Sequence, residues 1–355
     1  MTPSDRSTAG HAPLKSAPKE AVDAARALEA ALSSMPLYAL VQANVHPSLA
    51  HRGCWFCGCV PPQPRMGREQ KAEYLDCVAA EIAILSNLLN GHGRLAGVAF
   101  GAGAPAALTP DDIVAVLDAI EISLGLTDLT CVTVEMTLEM IRRSDMRALV
   151  ASGVRRFTLF AESQMAENVT FDAIEDAMVA LRDAAAEDVG VAYIADLPAR
   201  SAVEAADHAE RLLALGPDRL VAHRLGDRVA VDPAFAGVAP PTVTGLPQGS
   251  LEAVQAAGLA PAAAGVFVRP ERRLERAAAL DARLVASQIG VGAGALGRLG
   301  GRLFRNARRL DLYSGIVEFG MPPVELMAEA PATVWPEATA SGPSKLAMAP
   351  QGKSA

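Results

Sequence analysis

The sequence predicts an α/β fold, a partial (β/α)6 TIM-like barrel with a C-terminal appendage, and three observations predict it. Short apolar runs alternate with longer amphipathic ones from residue 37 onward, the pattern of repeated β-α units around a parallel sheet. The 355 residues are enough to bury a core of that size. Residues able to do chemistry cluster just after the apolar runs, at the strand ends where such barrels carry their sites.

The first strand falls in Leu37–Val45, after a leading helix over Glu20–Ser33 with helical spacing of apolar residues. The later strands fall at Leu95–Phe100, Thr130–Glu135, Arg156–Ala161, Val189–Ile194 and Arg219–Ala222, each short and rich in Val, Ile, Leu, Thr or Phe. Between them the spacing predicts helices over Arg68–Leu89, Pro110–Leu124, Leu138–Ser152, Phe171–Ala186 and Ala202–Leu215. Thr109-Pro110-Asp111-Asp112 is a helix start, with a capping Thr, Pro in the first position and acids in the first turn. Beyond Gly226 a Pro/Gly-rich connection leads to an apolar run at Ala264–Val268, a helix from Glu271 to about Gln288 and a glycine-rich stretch, Ile289–Gly301. The chain thus divides into a tail and leading helix (1–34), a barrel (35–225), an appendage (226–326) and a second tail (327–355), the tails being rich in Ala, Pro, Ser and Thr without periodicity.

Composition excludes several function classes. With 51% hydrophobic and 20% charged residues the chain is globular. A net charge of −8 argues against nucleic acid, whose phosphates need a basic face. No apolar run is long enough for a membrane span, and the polar N-terminus has no signal-peptide core. Five cysteines, three of them within Cys54–Cys59, are not a secreted disulfide framework. A cytoplasmic protein is expected, with its oligomeric state open.

Those three cysteines, Cys54, Cys57 and Cys59, are spaced to point at one metal ion or cluster, or to lie buried beside a turn. Cys77 and Cys131, among apolar neighbours, read as core. After the second strand comes Gly101-Ala102-Gly103-Ala104-Pro105, where glycine permits close approach to a ligand or simply a turn. Glu135 ends the third strand and Glu162 follows the fourth, so two carboxylates open on the same rim. Gly292-Ala293-Gly294-Ala295-Leu296-Gly297 fits the Gly-x-Gly-x-x-Gly pattern of pyrophosphate cradles, but helical sequence precedes it and no β-α-β unit follows.

Ala43–Cys59 resembles the cluster-binding segment of the oxygen-independent coproporphyrinogen III oxidases, of the radical S-adenosylmethionine superfamily. That segment reads Tyr-x-His-x-Pro-Phe-Cys-x3-Cys-x-Phe-Cys-Gly-Cys, and His46, Cys54, Phe56, Cys57, Gly58 and Cys59 stand in register with it. Ala50 stands where the family has its first cluster cysteine, and Asn44, Ser48 and Leu49 replace Tyr, Pro and Phe. Gly101–Pro105 is similar to the family's Gly-Gly-Gly-Thr-Pro, which receives the amino group of S-adenosylmethionine. Glu135 matches the Glu, and Glu162 stands in place of the Gln, that hold its ribose in the family. Asp145, Gly153 and Arg156 match the frame between them, and Ala192 replaces a ligand-contacting Asp. Leu197-Pro198, Asp218-Arg219-Leu220, Phe267-Val268-Arg269-Pro270, the Ile289–Leu296 stretch, Asn306 and Tyr313 match further landmarks, so the resemblance runs from about Leu37 to Val324.

The resemblance implies a [4Fe-4S] cluster held by Cys54 and Cys57 with Cys59, His51 or His46 in place of the missing thiolate. It also implies S-adenosyl-L-methionine held by Gly101, Gly103, Glu135 and Glu162, and a tetrapyrrole ligand. The joint changes at Asn44, Ala50, Ala102, Ala104 and Ala192 point to a coproporphyrinogen-oxidase-like protein of tetrapyrrole metabolism with degenerate or lost radical chemistry. The alternatives are an active enzyme decarboxylating coproporphyrinogen III through a rearranged cluster, and a zinc or other metal site on the same fold.

Overall fold

Alternating burial shapes the sheet. Along its third strand Val132, Val134 and Met136 are buried while Thr133 and Glu135 between them are not, so one face packs on helices and the other does not. In the computed structural model, described for residues 18–37, 39–45, 67–101, 108–138, 141, 143–161, 170–195, 201–223, 248–263, 265–281 and 287–329, a leading helix α1 (Lys19–Ser33) precedes β1 (Leu40–Val45), α2 (Arg68–Leu89), β2 (Arg94–Phe100), α3 (Pro110–Leu124), β3 (Cys131–Met136), α4 (Arg143–Ala151), β4 (Arg156–Phe160), α5 (Phe171–Asp183), β5 (Asp188–Ile194), α6 (Ala202–Ala214) and β6 (Arg219–His223). There follow α7 (Gln248–Ala256), β7 (Ala260–Ala263), β8 (Val266–Val268), α8 (Ala278–Asp281), β9 (Ser287–Val291), β10 (Leu296–Leu299), β11 (Arg302–Asn306), α9 (Leu310–Glu318) and β12 (Val324–Glu329).

The described strands form one mixed sheet in the order β12-β11-β10-β9-β1-β2-β3-β4-β5-β6-β8-β7. β1 to β6 are parallel and sequential, as crossover helices require. β9 joins the outer side of β1, also in parallel, with Val45 beside Val291. The remaining pairs are antiparallel. The core lies between the outer sheet face and the helices, where Val98, Val134, Phe157 and Val191 meet Ile82, Ile113, Leu149 and Leu181.

The α/β fold expected from the sequence is the fold observed, and α2 and α3 have the expected bounds. At the start of α3, Asp112 N–H donates to Thr109 Oγ1 at 3.3 Å and Thr109 N–H donates to Asp112 Oδ2 at 2.7 Å, the reciprocal cap its sequence calls for. The expected helix over Glu271–Gln288 does not form as such. Two short 3-10 turns (Pro270–Arg272 and Glu275–Ala277) and the four-residue α8 take its first part, and Gln288 lies in strand β9. Ser287–Val291 alternates with period two, and pairing along β1 satisfies its backbone, so tertiary pairing overrides the local helical preference. The last strand reaches Glu329, within the stretch read from residue 327 as tail.

Candidate functional site at the concave face of the sheet

The sheet curls far enough for residues of β1, β3, β4 and β6 to line one cavity of about 160 Å3. Its polar lining is Gln42, Thr133, Glu135, Arg156, Thr158 and Arg219, with Leu280 of α8 and Val266 of β8 among its apolar walls. Gly97 on β2 admits Leu280, since a Cβ there would lie 2.7 Å from Leu280 Cδ1. Barrel interiors that serve only as core are filled with branched apolar side chains. A concave interior that keeps open space among a few convergent polar groups is a candidate ligand site.

At the N-terminal ends of the strands the charges are paired. Arg219 on β6 reaches across β5, where its Nη1 donates to Asp188 Oδ1, and on to β4, where its Nη2 donates to Thr158 Oγ1 at 2.5 Å and to the Phe157 carbonyl at 3.3 Å. Arg156 Nε stands 3.4 Å from the other Asp188 oxygen. Arg219 is 2% exposed and Asp188 3%, so the ions depend on one another for the solvation that burial removes. Gly190 makes room for this bridge: a Cβ there would stand 2.7 Å from the Arg219 guanidinium carbon.

Toward the C-terminal ends, Glu135 projects from the inner face of β3 and lies against Gly101, where a Cβ would be 3.3 Å from Glu135 Oε2. The structure therefore brings together two of the residues singled out in the sequence, Gly101 and Glu135. Beside them Gln42 Nε2 donates to Asn44 Oδ1 at 2.8 Å and Asn44 Nδ2 to Gln288 Oε1 at 3.3 Å, an amide ladder from β1 to β9. Ala192 is buried in β5 opposite Phe160 and Val221. His223, buried at the end of β6 with its ring centroid 6.1 Å from that of Phe160, was not singled out in the sequence. Its signal was its place as the last residue of an apolar run.

Cys54, Cys57, Cys59, Gly103 and Glu162 lie outside the described residues, as do His46, Ala50, His51, Ala102 and Ala104. Among the described residues no group of three His, Cys, Asp or Glu side chains is placed to hold a metal ion. Cys131 is buried and Cys77 half-buried, and burial pushes both thiols up.

The glycine-rich stretch is a strand-turn-strand, not a strand-to-helix cradle, and strand β9 rather than helical sequence precedes it. Gly290 and Gly297 let β9 and β10 cross closely: a Cβ on Gly290 would lie 2.7 Å from the Leu296 carbonyl carbon, and one on Gly297 2.8 Å from the Gln288 carbonyl oxygen. The turn's N–H groups are all engaged. Gly292 N–H donates to Glu81 Oε2 at 2.7 Å, Ala293 N–H to the Tyr74 hydroxyl at 3.0 Å, Gly294 N–H to the Ala307 carbonyl at 3.0 Å and Ala295 N–H to the Gly292 carbonyl at 3.1 Å. None is left for a phosphate, and the carboxylate of Glu81 stands where an anion would sit. Glu81 also accepts from Tyr313 Oη at 2.6 Å and from Asn306 Nδ2 at 2.6 Å. Burial pushes its carboxyl up to about 7, with the three donors pulling the other way.

No protein-family model matches the chain. Over 201 residues it is 26% identical to the oxygen-independent coproporphyrinogen III oxidase of Paracoccus denitrificans, covering 53% of this chain and 43% of that protein. It is 25% identical over 195 residues to the enzyme of the same name from Bradyrhizobium diazoefficiens. Among solved structures, that of coproporphyrinogen III oxidase from Escherichia coli, a radical SAM enzyme, superposes with a TM-score of 0.66 at 18% identity, covering 87% of this chain and 76% of that one. The chain resembles the oxygen-independent coproporphyrinogen III oxidases and shares their fold. The matched region spans less than half the length of those curated relatives. No helix among the described residues is long and apolar enough to cross a membrane.

The fit to the family's cofactors divides in two. At the strand end that the resemblance assigns to S-adenosylmethionine, Glu135 lies against Gly101, whose missing Cβ keeps the approach open. On the cluster side, the sequence has Ala50 at one of the three thiolate positions, so the chain's in-register cysteines do not complete the set.

Proposed function

We propose that this chain is a coproporphyrinogen-oxidase-like protein of tetrapyrrole metabolism, located in the cytoplasm, whose radical chemistry is degenerate and which binds a tetrapyrrole or acts beside an active enzyme. The observation that carries the proposal is the pairing of a polar interior, with Glu135 against Gly101, with the absence of a thiolate at Ala50. In this reading Gly101, Gly103, Glu135 and Glu162 are what remains of an S-adenosylmethionine site, and Cys54, Cys57 and Cys59 of a metal site. The mouth retains polar groups for a carboxylated ligand after its redox centre has been disabled.

Anaerobic reconstitution with iron and sulfide, followed by metal analysis and assay for reductive cleavage of S-adenosylmethionine, tests this. Neither cluster nor cleavage, together with saturable porphyrin binding, is the expected result. About four irons and four sulfides per chain, with cleavage, would establish instead an active radical enzyme decarboxylating coproporphyrinogen III, a reading that the retained Gly101–Glu135 apposition favours. Zinc without sulfide would show a metal site of another kind. Ala50→Cys should restore cluster loading if the rest of the loop is intact.

A further inference from the structure

Glu81 sits on the buried stripe of α2 with Tyr74, Val78, Ile82 and Leu85, an acid in a row of core residues, and is 0% exposed. Its carboxylate gathers three elements of the chain: the β9–β10 turn through Gly292, β11 through Asn306, and α9 through Tyr313. Asn306 closes the ring by donating to the Gly292 carbonyl at 2.9 Å. The turn so held begins one residue after Val291, which pairs with Val45 at the end of β1. In the sequence the cysteine-bearing stretch follows Val45.

We propose that Glu81 is a positioning residue for the mouth of the sheet, and that its proton sets how firmly the Gly292–Gly294 turn is held beside the end of β1. The titratable groups that face it are Tyr313 from α9 and Tyr74 from its own helix, whose rings lie 5.6 Å apart, with Cys77 beyond Tyr313. From β11 it meets neutral Asn306, from the turn only backbone, and from α1 and β12 the apolar Leu28 and Val324. No cation appears among these groups, so the ionised form relies on neutral donors alone.

A proton on Oε2 is accommodated by rotation of one hydroxyl. Tyr313 changes from donor to acceptor, while the Gly292 N–H and the Asn306 amide keep their roles. The neutral acid is then bonded through both oxygens and loses far less on desolvation than the ion does. The ionised acid gains by reaching water, which it does only if the turn lifts. Opening of the turn therefore becomes easier as the carboxyl ionises, through the neutral range set by its raised value. This coupling is independent of which ligand the mouth receives.

Hydrogen exchange of the amides of Gly292–Ala295 and of Asn44–Val45, corrected for intrinsic rates and followed from pH 5 to about 8.5, reads the coupling. The expected result is protection that falls as pH rises, by about tenfold per pH unit at the steepest, and levels off above about 7. Glu81→Gln should lower and flatten the profile. Its amide either faces the Gly292 N–H or confronts the Asn306 amide, and it carries no proton to lose. Tyr313→Phe removes a donor that favours the charged form and should move the levelling-off to higher pH. Wild-type protection that does not change with pH would overturn the proposal. A Glu81→Gln protein that melts lower but keeps the wild-type profile would do the same. If Glu81→Gln does not fold, an unshifted profile in Tyr313→Phe overturns it equally.

Discussion

Asp188 and Glu81 are both buried carboxylates, and the protein keeps them by opposite means. Asp188, inside the curl of the sheet, lies between two guanidiniums, Arg156 and Arg219. Glu81, on the outer side between α2 and the β9–β10 turn, has only N–H and O–H groups of neutral partners. The first arrangement ties three strands together through side chains of opposite charge. The second leaves the charge undecided near neutral pH, because dipoles offset only part of what desolvation costs a carboxylate. Only the second site depends on neutral dipoles to hold its charge.

The contrast breaks most directly at Asp188. Asp188→Ala takes the carboxylate away from two buried guanidiniums and should cost about 3–5 kcal/mol, read by urea unfolding; a loss below about 1 kcal/mol would show that Thr158 and the Phe157 carbonyl suffice to hold Arg219. Next in size is the pH response of Glu81. Its folded value, about 7, lies above the ordinary 4.5, so its contribution to stability is full below 4.5 and is lost as pH rises through about 7. The stability of wild type relative to Glu81→Gln should therefore fall by roughly 3 kcal/mol between those values, and paired denaturation curves at several pH values measure it.

Gly190→Ala sharpens the same comparison from the other side. The added methyl would meet the Arg219 guanidinium at 2.7 Å and should cost about 1–3 kcal/mol, read by urea unfolding. An unchanged unfolding midpoint would mean that the guanidinium gives way to the methyl. The smallest effect is expected at a partly exposed pair. Lys71 Nζ lies 2.6 Å from Asp112 Oδ2, joining α2 to the cap of α3, and Lys71→Ala should cost no more than about 1 kcal/mol and less at high salt.

Much of this was legible in the sequence, and the exceptions follow one rule. The six parallel strands and the helices between them announce themselves because each buries one face, so burial writes a period of 2 or 3.6 into the residues. Gly101 and Glu135 were legible as candidates that come together because each stands at a strand end. Glu81 was not, although a single acid on the stripe Tyr74, Val78, Ile82, Leu85 was its signal: a helix alone does not say what will meet its buried face. His223 was missed by one residue of strand length. The glycine-rich stretch looked like a phosphate cradle out of context, and only the β9–β10 pairing shows that its glycines serve close backbone crossing.

By itself the sequence determined the α/β class, the order of β1 to β6 with the helices between them, the cap of α3 and the resemblance to coproporphyrinogen III oxidases, all of which are written in local periodicity or in residues at fixed spacing. The tertiary structure alone decided that Ser287–Val291 is a strand on β1, that Arg219 reaches Asp188 and Thr158, and that Glu81 fills the turn at Gly292. Those three facts join residues from 31 to 246 positions apart. Contacts of that span cost loop entropy and are set by which surfaces the whole chain can bury at once.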